Sequence, residues 1–149
     1  MNSEAELGPQ LSARLSSLFK RAFLELEDLH AEYLGPTGVN ARELAVLLLL
    51  HGREPGSQQQ AAGRLGVDRT TMVGLLDGLE SKGLVARQPD AGDRRRNVVG
   101  LTDAGERTLA TAKAASDEAE RRLLGELSEI EARRLRELLG RVAAHRGRP

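Results

Sequence analysis

The stretch that decides the fold is Ser57–Leu101, SQQQAAGRLGVDRTTMVGLLDGLESKGLVARQPDAGDRRRNVVGL. Its first four residues, Ser57-Gln58-Gln59-Gln60, have S-x-x-Q capping-box form, in which a hydroxyl and a carboxamide satisfy free N–H groups at a helix start. The helix so opened, Ser57 to Leu65, is short and stops at Gly66. Asp68 caps a second helix, Asp68 to Lys82. Met72, Leu75, Leu76 and Leu79 recur there at three- and four-residue steps, which leaves Arg69, Thr70, Val73, Gly74 and Asp77 on the outer face. Lys82-Gly83 ends it, with a cation where the helix dipole favours one. Leu84 to Arg87 and Asn97 to Leu101 are short and extended in character. Pro, Asp and Gly between them make a turn that closes on Arg94-Arg95-Arg96. Helix, turn, helix and basic hairpin together give a winged helix-turn-helix.

On the N-terminal side, residues 1–8 are polar and are expected to fray. From Pro9 an apolar stripe runs through Leu11, Leu15, Leu18, Phe19, Phe23, Leu26 and Leu29 to Tyr33, which predicts one continuous helix ended by Gly35-Pro36. Asn40-Ala41-Arg42-Glu43 has capping-box form and opens a helix, Ala41 to His51, apolar almost all round and therefore central. Glu54-Pro55-Gly56 is a turn. On the C-terminal side, Thr102 caps an Ala-rich helix running to Leu124 or Gly125, with Asp103 and Glu106 in its first turn. Ser128-Glu129-Ile130-Glu131 opens a last helix bearing Ile130, Leu135, Leu138, Leu139 and Val142, and His145 to Pro149 should be loose. The expected architecture is a single domain over residues 1–149, mainly α with a small β-hairpin. A lobe at about 40–101 is flanked by long helices at about 9–34 and 102–145. The first helix needs a partner surface, which a second copy of the chain can supply.

Composition narrows the chemistry. Aromatics are 2% of the 149 residues against 40% hydrophobic in all, so the core is built from Leu, Val and Ala, which suits helices. The formal net charge is zero, which argues against a non-specific nucleic-acid coat but leaves room for a local basic patch. Between Ser57 and Leu101 basic residues exceed acidic ones by two, so one copy should hold phosphates weakly and a dimer is the natural remedy. With no Cys there is no disulfide, thiolate metal site or cysteine redox switch. No apolar run approaches a membrane span and no signal peptide is visible, so the chain reads as cytoplasmic.

The central unit suits double-stranded DNA. A helix fits the major groove, where Arg69 can reach guanine and threonine methyls can meet thymine methyls. Gln58 and Gln59 stand at a helix N-terminus whose free N–H groups can hold a phosphate. Arg94, Arg95 and Arg96 can enter a narrow minor groove from an extended tip.

Asp93 through Gly105 resembles the D-x-R…L-T-x-x-G wing signature of MarR-type winged-helix regulators, and Asp68-Arg69-Thr70-Thr71 through Val85 resembles their recognition helix and its exit. The resemblance covers nearly the whole chain. It implies a homodimeric transcription regulator, usually a repressor, held by its N- and C-terminal helices on a pseudo-palindromic operator. On that reading Arg95 takes the minor-groove role and Asp93 orients it by an ion pair, with Arg94 beside it. Arg69, Thr70 and Thr71 face the major groove, and Gly74 stands where many relatives carry a larger polar or basic residue. Family members often bind a small aromatic compound between the dimer helices and the DNA-binding lobe, for which His30, Tyr33 and His51 are the lining candidates here. The competing classes are a winged-helix protein-interaction module that does not bind DNA, and an enzyme. No nucleophile elbow, zinc motif or phosphate loop is present, so no catalytic residue, metal or cofactor is expected.

Overall fold

The computed structural model describes residues 3–53 and 56–144, the side chains of 3–5 and of Gln58 excepted. The expectations for the 145–149 tail and for Glu54-Pro55 lie outside the described residues. In chain order the elements are α1 (Ser3–Ser12), α2 (Leu15–Leu34), a 3-10 turn (Gly35–Thr37), α3 (Ala41–Leu50), α4 (Gln58–Leu65), α5 (Arg69–Ser81), β1 (Val85–Pro89), β2 (Asn97–Leu101), α6 (Asp103–Leu123) and α7 (Glu129–Ala143).

Chain contacts divide the molecule into two compact units, Met1–Leu29 with Ala119–Pro149, and His30–Glu118. The second holds the helix-turn-helix and the hairpin. Its core takes Leu44, Val46 and Leu47 from α3, Met72, Leu76 and Leu79 from α5, and Val85 and Val99 from the two strands. Leu34, Leu109 and Ala112 from α2 and α6 close it. Leu75, expected in the buried stripe of α5, is only half-buried, and Leu48 of α3 is exposed. Helix α3 is therefore central on one side only.

Three capping boxes fix helix starts where the sequence puts them, at Asn40, Ser57 and Ser128, each with reciprocal side-chain and backbone hydrogen bonds. Strands β1 and β2 pair antiparallel, from Val85 opposite Leu101 to Pro89 opposite Asn97. The Val99 N–H donates to the Gly56 carbonyl at 2.9 Å, so Gly56 adds a one-residue bridge to the hairpin edge rather than serving only as a turn. Thr102 joins hairpin to helix: its N–H donates to the Leu84 carbonyl and its hydroxyl to the Gly83 carbonyl, while that oxygen accepts the Gly105 N–H. Gly105 rests so closely on the Leu84 carbonyl that a Cβ there would overlap it, which accounts physically for glycine in the L-T-x-x-G sequence.

The first unit departs from expectation at the N-terminus. The predicted single helix from Pro9 to Tyr33 is two helices, separated between Ser12 and Leu15. The Arg21 guanidinium donates to the Ser12 carbonyl at 2.8 Å, and the Arg14 N–H turns back to Leu11 at 3.1 Å. These bonds occupy groups a continuous helix would need for its own ladder. Nor is the segment before Pro9 frayed throughout, since Ser3–Leu7 is already helical and is joined to the rest of α1 by a kink at Gly8, φ 74°. Leu29 and Ala119 are buried, and Arg136 of α7 pairs with Glu120 of α6 at 2.9 Å. Leu18, Phe19 and Phe23 of α2 and Ile130, Leu139 and Val142 of α7 remain exposed.

Candidate nucleic-acid interface

Helix α5 begins at Arg69 with Asp68 as its cap. The Asp68 carboxylate accepts the Thr71 N–H at 2.8 Å and the Thr71 hydroxyl at 2.7 Å. The Thr71 N–H first, and then its hydroxyl, hold the Asp68 carboxyl below its ordinary value. The donor of Thr71 is thus spent on the cap and is not offered outward, whereas the Arg69 and Thr70 side chains are exposed and have no partner among the described residues. The buried stripe of α5 turns Thr70, Val73, Gly74 and Asp77 away from the core.

Acidic and basic groups around α5 are largely paired. Arg87 of β1 reaches back to Asp77 at 2.7 Å and to Glu80 at 3.3 Å, tying hairpin to helix. Lys82, at the end of α5, donates to both carboxylate oxygens of Glu43 and to the Gly38 carbonyl, all within 3.0 Å. Glu43 is nearly buried and also accepts the Asn40 N–H, so the cation answers a carboxylate that burial would otherwise penalise. Lys82 therefore serves a specific carboxylate and not only the helix dipole, and neither it nor Arg87 adds a free charge to the outer face.

The wing tip is different. Asp90 accepts the Gly92 N–H through its side chain, and the Asp93 carboxylate accepts the Arg95 N–H at 3.0 Å. The Asp93 carbonyl accepts the Arg96 N–H, and the Arg96 carbonyl accepts the Asp90 N–H. These Asx-type turns close the loop. Asp93 thus meets Arg95 through the main chain, in place of the expected carboxylate–guanidinium pair: its side chain takes the near backbone donor, and the Arg95 side chain is exposed. Arg94, Arg95 and Arg96, at the hairpin tip, are all exposed with no partner among the described residues. Gln59 is exposed at the start of α4, and the Gln58 side chain lies outside the described residues.

Residues 39–96 match the model of the MarR family. The HTH-type transcriptional regulator PecS of Dickeya dadantii (strain 3937) is 35% identical over 136 residues, 89% of this chain and 78% of PecS. The transcriptional repressor CouR, bound to a 23-mer DNA duplex, has 34% identity and a TM-score of 0.85 over 95% of this chain and 99% of that one. CouR from Rhodococcus jostii RHA1, bound to p-coumaroyl-CoA, has 32% identity and a TM-score of 0.76 over 89% and 93%. The chain belongs to the MarR family. It is a DNA-binding transcriptional regulator.

In this MarR-family chain His30, Tyr33 and His51, singled out for a small ligand, lie outside the linings of the two clefts that follow. Two clefts among the described residues, of about 380 and 410 Å³, are lined by Leu7, Leu11, Lys20 and Leu24 in one case and by Arg42, Leu65, Thr71 and Leu75 in the other. His30 hydrogen-bonds the Ser116 hydroxyl at 3.1 Å, and Tyr33 is half-buried. His51, exposed at the end of α3, hydrogen-bonds Glu106 at 2.8 Å.

Sequence reasoning missed the Arg87 brace, although its signal was present. Asp77 and Glu80 lie three apart on one helix face, and an arginine follows on the next strand. The Glu43–Lys82 pair had no such signal, because 39 positions separate its partners.

Proposed function

We propose that this MarR-family regulator works as a homodimer, in the cytoplasm, that binds a pseudo-palindromic duplex and represses transcription by occupying it. The observation that carries the reading is the wing: three unpaired arginines on a loop closed by its own aspartates, beside an α5 whose first turn presents Arg69 and Thr70. Arg95, with Arg94 and Arg96, lies in the minor groove, and Arg69 and Thr70 meet the major groove. Thr71 supports them by holding the cap, Asp93 by shaping the wing, and Gln58, Gln59 and Gly74 border the same surface. The DNA-bound CouR structure supports the assignment of duplex DNA as partner. The exposed apolar residues of α1, α2 and α7 support pairing of two copies through the terminal helices.

A small aromatic ligand that lowers DNA affinity is part of the proposal, supported by CouR bound to p-coumaroyl-CoA. His30 and Tyr33 on α2 and His51 after α3 are the residues proposed to meet it, His30 and His51 by exchanging their present partners Ser116 and Glu106.

The test is fluorescence anisotropy of a duplex selected from a random-sequence library, titrated against salt. Wild type should bind with a steep salt dependence, and Arg95→Ala should weaken it by about 1–3 kcal/mol per site. Equal affinity of the variant at about 150 mM salt would remove the wing from the interface, and failure to select any duplex would overturn the DNA reading itself.

A further inference from the structure

The outer face of α5 is poor in hydrogen-bonding groups. Past Arg69 and Thr70 it carries Val73, Gly74 and Asp77. Asp77 is engaged by Arg87 at 2.7 Å, and the Thr71 hydroxyl is committed to Asp68 at 2.7 Å. What remains past Thr70, toward the middle of the helix, is the two methyls of Val73 and a bare backbone at Gly74. Val73 is partly exposed and outside the buried core, unlike its neighbour Met72. Gly74 is exposed, and among the described residues nothing beyond its own helix backbone and chain neighbours lies within 4 Å of where its Cβ would stand. An exposed mid-helix glycine weakens the helix by about 1 kcal/mol relative to alanine. Packing inside this protein does not require it there, so any requirement lies in what approaches from outside.

In the major groove the one apolar feature by which a base pair is distinguished is the thymine 5-methyl. A partly exposed valine beside a glycine matches it in chemistry, with the glycine giving clearance for the helix axis to approach the base edges. We infer that Val73 reads a thymine methyl in each half-site and that Gly74 supplies the clearance for that contact. The inference rests on the DNA-binding reading above and adds to it the chemical class of base that α5 selects.

The test is a double-mutant cycle between protein and DNA methyls. Each thymine of a duplex selected by the wild-type dimer is replaced in turn by uracil, which lacks only the 5-methyl, and binding is measured for wild type and Val73→Ala. At one thymine position of each half-site, uracil should weaken wild-type binding by about fourfold, the worth of one buried methyl group. The same replacement should leave Val73→Ala unchanged. Gly74→Ala should raise the melting temperature yet weaken binding by about tenfold or more, on the scale of a lost base contact. Wild-type binding with no uracil position coupled to Val73, or a selected half-site without thymine, overturns the methyl contact. Gly74→Ala binding as tightly as wild type overturns the clearance. Failure of the wild-type protein to select DNA at all would instead strike the parent reading.

Discussion

The two units of this chain use the same residue palette, rich in leucine and alanine, and treat it oppositely. In His30–Glu118 the large apolar side chains of α3, α5 and the hairpin converge on one core, with Leu47, Met72, Leu76 and Leu79 fully buried. In Met1–Leu29 with Ala119–Pro149, Phe19 is 48% exposed, Phe23 58% and Ile130 76%. A scattered exposed leucine is ordinary, but rows of large apolar side chains on successive helices mark a surface to be covered. The contrast separates two kinds of surface: one unit closes its core within the chain beneath α5 and the hairpin, while the other leaves a row of large apolar side chains exposed, the face proposed above to meet a second copy.

The most direct way to break that contrast is to make the open face polar. Phe19→Glu with Phe23→Glu should have the largest effect of all. Each large apolar anchor at an interface centre is worth about 2 kcal/mol or more, and a two-fold interface counts it twice. The double variant should sediment as a monomer at micromolar concentration while the His30–Glu118 core still melts cooperatively. A variant that stays dimeric would show that α2's exposed row is not the pairing surface.

Within the closed unit the response should be a loss of fold stability with no change of assembly. Leu47→Ala removes a fully buried side chain from α3 and should cost about 2–5 kcal/mol in denaturant unfolding. Gly105→Ala should cost less, about 1–3 kcal/mol, because the added Cβ forces the start of α6 away from the Leu84 carbonyl and strains the Thr102 junction. If Gly105→Ala were as stable as wild type, the close approach would not be what fixes hairpin against helix.

How far the sequence reveals these features follows the range of the interaction responsible. Caps at Asn40, Ser57, Asp68 and Ser128 involve groups three residues apart, and each forms as its sequence predicts. The hairpin is legible for the same reason, since its turn residues act locally, whereas the close approach of Gly105 to Leu84 far back in the chain is not, and only the resemblance of the L-T-x-x-G sequence marks that glycine. The split between α1 and α2 is not, because the apolar periodicity runs unbroken across Ser12–Leu15 and the interruption depends on Arg21 reaching nine residues back. The outer-face charge is misread by counting: Lys82 and Arg87 look like part of a basic surface until Glu43, Asp77 and Glu80 are seen to hold them. Residue type at the wing tip marks the loop that carries the exposed arginines, yet the role of Asp93 depends on a carboxylate choosing between a backbone N–H and a guanidinium, which spacing alone does not decide.

The smallest effect should come from Asp68, and its pH dependence sharpens the comparison at the point where α5 starts. The folded-state carboxyl sits below its ordinary value, chiefly because it accepts the Thr71 N–H and then the Thr71 hydroxyl. An acid whose value is depressed on folding contributes its stability above the unfolded value and loses it as pH falls through the folded one. Wild type should therefore hold a constant advantage from this carboxylate at neutral pH, and the advantage should shrink below about pH 4, the ordinary aspartate range. Asp68→Asn keeps a cap acceptor for the Thr71 N–H but has nothing to titrate. Its melting temperature should lie slightly below that of wild type at pH 7, and the two should converge as pH falls toward 3. Parallel curves across that range would mean that the charge of the Asp68 carboxylate adds nothing on folding beyond the cap acceptor that Asn also supplies.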